Sequence, residues 1–232
     1  MFTIVRQGGA MVRVILAGLL VGWASVFVCT AMPPVSSALP ESCPPTCDRI
    51  PTSAWPTPEA LPMAATSAWP PLAGLAAPVL RPTFFFDELC AGPAPVDDPR
   101  RYVVAARAEV TAPAGQWQLR AQVLHWRGET WQGGQLVMSV FDRAVESLRG
   151  CRAPGFSPSV TTDDGLRMAA VISSPQQVVH QYLLAHPQSS SMVELVFWAS
   201  PPPAVPWAPV PDARVLDAMA APLCGAYLSS CG

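Results

Sequence analysis

Between Tyr102 and Cys151 the chain is patterned first for a sheet and then for a helix to cover it. Tyr102 to Thr111 alternates, with Tyr102, Val104, Ala106, Ala108 and Val110 on one face. Thr111 to Gly115 interrupts with Pro113 and Gly115. Gln116 to Arg127 then alternates again, setting Trp117, Leu119, Ala121 and Val123 against Gln118, Arg120 and Gln122. Two period-two runs around a short Pro/Gly turn predict an antiparallel hairpin with one buried face. The period then changes. Leu136, Val137, Val140, Phe141, Ala144, Val145 and Leu148 fall on one helical stripe, opposite Gln135, Asp142, Arg143, Glu146 and Arg149. Gly150 follows the last apolar position, where a left-handed cap suits glycine, and Cys151 comes next as a candidate staple.

The N-terminus carries an export pattern. Arg6 and Arg13 precede an uncharged apolar run from Val14 to Met32, and Ser36, Ser37 and Ala38 are small. A basic segment, an apolar segment and small residues predict a secretory signal with cleavage after Ala38. The rival is an uncleaved membrane anchor, because the run approaches the roughly 20 residues that span a bilayer. Residues 1–38 are therefore read as a signal peptide or membrane anchor, and the remainder as extracytoplasmic. Removing this segment takes Cys29 with it and leaves Cys43, Cys47, Cys90, Cys151, Cys224 and Cys231. An even cysteine set in an exported chain predicts disulfides. No second close pair or nearby His completes a four-ligand metal set around Cys43 and Cys47. Within one continuous terminal helix, Cys224 and Cys231 would lie about 10.5 Å apart at about 1.5 Å per residue. That exceeds the reach of about 7 Å between bridged Cα atoms. The expectation is thus a bond from Cys151 to Cys224 or Cys231, with the other of these two bonded to Cys43, Cys47 or Cys90 and pinning the Pro-rich arm.

Residues 39–98 read as a Pro-rich arm. Between Pro33 and Pro99 stand 16 of the 28 prolines, with almost no periodicity and an echo at Thr52 to Pro56 and Thr66 to Pro70. Such composition predicts an extended linker, with Trp55 and Trp69 free to dock on the domain and Phe84 to Phe86 marking its return to the core. The globular domain is placed at residues 99–232. Beyond Cys151, Asp163-Asp164-Gly165 between strand-like runs predicts a hairpin. Ser174 to Gln177 has the pattern of a capping box leading into a helix over Val178 to His186. Met192 to Ala199 is apolar except for Glu194, as in a strand buried on both faces. Asp212 is placed to cap a last helix carrying Val215, Leu216, Met219, Leu223, Tyr227 and Leu228, which Pro222 should kink or divide. Hairpins segregated from helices predict an α+β fold, an antiparallel sheet with two or three covering helices, disulfide-stabilised and preceded by the arm.

The run from Val140 to Cys151, with Trp131 upstream, resembles the extracellular sensor domains of mycobacterial PknH-type receptor kinases. Cys90 and Tyr102 fit the first strand of that family, and Met192 to Ala199 is similar to a late apolar strand. The likeness spans roughly residues 90–232. The chain departs from the pattern in having no kinase domain within its 232 residues and in placing Cys224 and Cys231 in the expected last helix. What the resemblance implies is an envelope location and ligand sensing, with no catalytic residues to transfer.

Catalytic constellations are missing from the sequence. His180 and His186 do not share a helical face, no Gly-x-Ser-x-Gly elbow occurs, and Gly133-Gly134 is not followed by a phosphate-loop lysine. No cofactor is expected, and the chain is read as non-catalytic. All 14 basic residues are arginines, and 12 of them remain beyond Arg6 and Arg13 against 16 acidic residues. They are scattered, so nucleic-acid binding is not expected. Trp126, Arg127 and Trp131 form the candidate ligand-binding cluster, because an exposed indole beside an arginine can stack on a sugar ring or an acyl chain. The alternative is that a helix covers that face and Trp126 belongs to the core. The expected partner is an envelope ligand or protein, with the membrane reached through the N-terminal segment if uncleaved. An envelope lipid carrier and a small hydrolase are the competing functions.

Overall fold

The structure is a computed structural model that describes residues 42–90, 96–151, 153–228 and 230–231. The signal peptide or anchor expected over residues 1–38 lies outside the described residues. In chain order the main elements are α1 (Ala64–Ser67), β1 (Ala77–Pro78), α2 (Phe85–Cys90), β2 (Val104–Val110), β3 (Gln118–His125) and α3 (Thr130–Arg149). They continue with β4 (Ser157–Asp163), β5 (Arg167–Ser173), β6 (Val178–His186), β7 (Ser191–Ala199) and α4 (Asp212–Ala226). The strands form one seven-stranded antiparallel sheet in the order β1-β2-β3-β7-β6-β5-β4. This is the α+β architecture expected from the hairpins. Among the described residues, no helix is long and apolar enough to cross a membrane.

Alternation along each strand sends side chains to two separate apolar layers. Ala106, Ala108, Leu119, Val123, Leu195 and Phe197 meet α4 and the segment that begins at Cys43. Leu124, Met168, Ile172, Leu183, Met192 and Val196 meet α3 and Phe84 to Phe86. β7 lies at the centre, between β3 and β6, and is buried on both faces as its composition predicts. The hairpin at Asp163 to Gly165 is present, with Gly165 at φ +86°. Asp163 Oδ1 accepts from the amide of Gly165, and Asp164 Oδ1 from those of Leu166 and Arg167, so both turn acids serve the turn.

Five expectations are corrected. Val178 to His186 is a strand, not a helix. Its odd positions fill one layer and its even positions approach the other, so no polar face breaks the apolar run and helical spacing arises by coincidence. Ser174 closes the β5–β6 turn instead of capping a helix. Its hydroxyl oxygen accepts from the amides of Gln176 and Gln177 while its own amide bonds Gln177 O at 2.9 Å. Gly150 ends α3 at φ −80°, without a left-handed cap. Tyr102 belongs to a 3-10 turn and is 77% exposed rather than in the strand face, and Leu136 sits at the exposed margin of the helical stripe.

The terminal helix also differs. α4 runs through Pro222 and stops at Ala226, where Tyr227 turns extended. Tyr227 and Leu228 are therefore not part of it. Asp212 does not cap it; its Oδ2 accepts from the hydroxyls of Thr161 and Thr162, tying β4 to α4. Because the helix ends early, Ser230 can fold back, its hydroxyl donating to Tyr227 O and Leu223 O. Cys231 thereby returns to 5.2 Å, Cα to Cα, from Cys224, and these two pair. The other pairs are Cys43–Cys47 and Cys90–Cys151. Cys151 is thus bridged to the arm and not to the last helix.

The domain does not begin at Pro99. The chain from Ala38 to Gly232 forms one compact unit, and Trp55, Leu61, Met63, Trp69 and Leu72 are buried in the layer they share with α4. Prolines and 3-10 turns give this segment no period to read, yet its large side chains are core. Trp69 Nε1 finds a carbonyl within the same segment, Pro62 O at 2.6 Å.

Candidate functional site: a tryptophan-lined groove

Two glycines place the first turns of α3. A Cβ on Gly133 would stand 2.3 Å from Ser190 Oγ, and one on Gly134 would stand 3.0 Å from Pro187 O. Only bare backbone permits α3 to lie this close to the 3-10 turn Pro187–Ser189. The Gly133-Gly134 pair is therefore a packing feature. Across the same junction Trp126 N–H donates to Ser190 O at 2.8 Å and Ser190 Oγ donates to Thr130 O.

The junction separates the three residues of the expected cluster. Trp126 is 2% exposed, lies in the layer under α3 and donates Nε1–H to Pro99 O at 3.2 Å. It is a core residue and offers no face to a ligand, contrary to the expected cluster, because the helix that follows it covers its strand face. Arg127 is exposed but does not line the cavity beside Trp131. Trp131 is 62% exposed. It borders a shallow groove of about 790 Å³ between α3 and the 187–189 turn, together with Gln135, Met138, Ser139, Asp142 and Gln188. A rigid indole, a thioether and a few hydrogen-bonding groups line one open surface. Such a surface can stack against a flat apolar face and orient it by its polar edge.

A second constellation lies beneath α2 and was legible only as an exception in an apolar strand. Glu194, fully buried in β7, accepts at Oε1 from Phe85 N–H at 2.6 Å and from Gln181 Nε2 at 3.0 Å. Gln122 Nε2 and Arg107 Nη2 both donate to Thr83 O, and Arg120 pairs with Glu88 at 2.9 Å. Neighbouring strands thus hold the backbone and acidic side chains of residues 83–88. Burial pushes the Glu194 carboxyl up to about 7, against the lowering influence of the Phe85 amide, Gln181, Arg120 and Arg107. This polar strip anchors the chain's own segment.

Two of the three histidines, His125 and His180, are structural in setting. His125 is fully buried, with Nδ1 at 3.1 Å from Ser189 O and Ser191 Oγ and Nε2 at 3.1 Å from Pro45 O, and it stacks on Tyr227. Ser191 thus stands beside a histidine, but its hydroxyl donates to Ser189 O at 2.9 Å. Neither residue reaches solvent, so no substrate meets the pair. His180 stacks on Trp207 with ring centroids 3.8 Å apart, and burial holds its ring down to about 4. No protein-family model matches the chain, and no curated protein matches it.

Proposed function

We propose that this chain is a non-catalytic, exported cell-envelope protein whose sensor-like domain binds a ligand or protein partner at the Trp131 groove. The observation that carries the reading is a largely exposed indole on a helix held rigidly by the Gly133–Ser190 contact, while the sheet's two faces are filled with side chains. Three cysteine pairs at disulfide distance agree with an oxidising compartment. The export pattern of residues 1–38 supports the same location. A reporter enzyme that matures only outside the cytoplasm, fused after Gly232, is expected to be active. Activity of a cytoplasm-only reporter at that position instead would refute export.

Binding is tested with short neutral oligosaccharides, whose ring faces stack on indoles. The mature chain is expected to bind one in calorimetric titration, and Trp131→Ala to weaken it about tenfold, the equivalent of about 1.4 kcal/mol. Equal affinity of parent and variant would sink the groove as the binding site. The second reading, an envelope lipid carrier, draws on the apolar part of the groove's lining, Trp131 and Met138. Native mass spectrometry of chain purified from membranes separates the two. A co-purified lipid that Trp131→Ala loses, with no oligosaccharide bound, would replace the first reading by the second.

A further inference from the structure

The early end of α4 has a chemical consequence at the surface. Cys224 and Cys231 are both exposed, whereas Cys43 and Cys151 shield the other two bridges by their burial. A reductant in solution therefore meets the Cys224–Cys231 bond first. Beside it stands His186, at the end of β6, with Nε2 at 3.6 Å from Cys231 Sγ. Ligand atoms of these three residues all lie within 4.8 Å of one another.

The histidine is oriented by Ser189. The Ser189 hydroxyl donates to His186 O, and its oxygen lies 2.8 Å from His186 Nδ1. In the tautomer that carries its proton on Nδ1, that oxygen accepts from Nδ1–H and Nε2 holds the lone pair a metal needs. In that tautomer the Nε2 lone pair faces a disulfide sulfur and makes no hydrogen bond, because neither atom bears a proton. The contact gains a partner only when the sulfur becomes a thiol or a metal-bound thiolate. Its length already fits the second case. Zinc bonds of about 2.3 Å to sulfur and about 2.0–2.1 Å to nitrogen, at a tetrahedral angle, set an S–N edge of about 3.6 Å. The two sulfurs have to part, to about 3.8 Å by the same geometry, with Cys224 Sγ settling about 3.6 Å from Nε2.

We propose that Cys224, Cys231 and His186 form a redox-gated site for a thiophilic divalent cation of the zinc type, closed in the disulfide form and opened by reduction. A dithiol reductant passes two electrons to the bridge and is itself oxidised to a disulfide, leaving two thiols on the protein. The incoming cation displaces both thiol protons to solvent and is held by two thiolates and His186 Nε2. Water fills the fourth position. Ser189 acts as a positioning residue, fixing the imidazole tautomer as partners of ligating histidines do. Sequence reading could not assemble this trio, because His186 lies far from both cysteines along the chain.

The test uses the chain from Ala38 to Gly232 and Co²⁺ as a spectroscopic stand-in for zinc. The protein is reduced with a limiting amount of a phosphine, which takes the oxygen of water as it becomes a phosphine oxide. Released thiols are counted, and circular dichroism follows the fold. The reduced chain is expected to take up one Co²⁺ with thiolate-to-metal charge-transfer and tetrahedral d–d absorption, and the oxidised chain none. His186→Ala should weaken uptake more than about 100-fold and Ser189→Ala about 10-fold, while Cys43→Ser/Cys47→Ser leaves it unchanged. The proposal is overturned by uptake that His186→Ala does not alter, by uptake that disappears in the Cys43/Cys47 variant, by absence of uptake, or by loss of the sheet on reduction.

Discussion

A fragment that begins at Pro99 is expected not to fold, although it contains β2 to β7, α3 and α4. Eight large apolar residues of the preceding segment are buried: Trp55, Leu61, Met63, Trp69, Leu72, Phe84, Phe85 and Phe86. At about 1.5–3 kcal/mol for each buried side chain, the burial lost with all eight amounts to about 12–24 kcal/mol as an upper estimate. A domain's whole stability is about 5–15 kcal/mol, so the loss decides the outcome. It also strips the layer shared with α4 and leaves Glu194 without Phe85 N–H. Fragments 38–232 and 99–232, the latter with Cys151→Ser to remove its widowed thiol, can be compared by near-ultraviolet dichroism and urea titration. The longer one should unfold cooperatively and the shorter one show no transition. A cooperative transition in the shorter fragment would show that the arm is a passenger.

Acid should separate Glu194→Gln from the parent in one direction and His180→Phe in the other. The Glu194 carboxyl is raised to about 7 from 4.5, so the folded chain holds this proton more tightly than the unfolded chain. Its contribution is fully present below about pH 4.5 and is lost as the pH rises to about 7, on the order of 3 kcal/mol in all. His180 is lowered to about 4 from 6.5. Its contribution is present above about pH 6.5 and is lost as the pH falls towards 4. His180 is partly exposed, so solvent screening reduces this to about 2 kcal/mol. Burial lowers His125 and His186 as well, and both act with His180. In the parent, Glu194 therefore offsets the histidines over one shared window. Between pH 7.5 and 4.5, Glu194→Gln should lose about 3 kcal/mol more than the parent does, and His180→Phe about 2 kcal/mol less. Urea midpoints at the two pH values measure this. Superimposable profiles for the parent and Glu194→Gln would mean that the buried carboxyl does not titrate in this range.

What could be read from the sequence depended on whether an element kept a polar face. In residue types the β2–β3 hairpin and α3 did: Gln118 and Gln122, or Asp142 and Glu146, marked the period that opposed the apolar stripe, although β3 itself is covered on both faces. β6 did not, because it lies between β5 and β7 with both faces covered, and its apolar run satisfied a helical spacing equally well. The Pro-rich arm had no period to offer, since Trp55 and Trp69 reach the core from irregular backbone and 3-10 turns. Of the expected cluster, Trp131 alone lies in the groove. Trp126 shared the strand parity of Gln118 and Gln122, and that face turned out to be covered too. Cysteine pairing hinged on where α4 stops, one residue before Tyr227, and local propensity does not place such boundaries.

Cys43 and Tyr227 form a parallel bridge, with Cys43 N–H donating to Ala226 O at 2.7 Å and Leu228 N–H to Cys43 O at 3.0 Å. The first and last described stretches of the chain therefore run side by side in the same direction. Tension applied between the N-terminal side of Cys43 and the C-terminal side of Leu228 pulls along both strands and across both hydrogen bonds at once. The two bonds bear the load together, in shear, instead of opening one after the other as they would at the end of a zipper. The Cys43–Cys47 and Cys224–Cys231 bridges flank this point, so reducing either one lengthens the chain that must yield before force reaches the sheet.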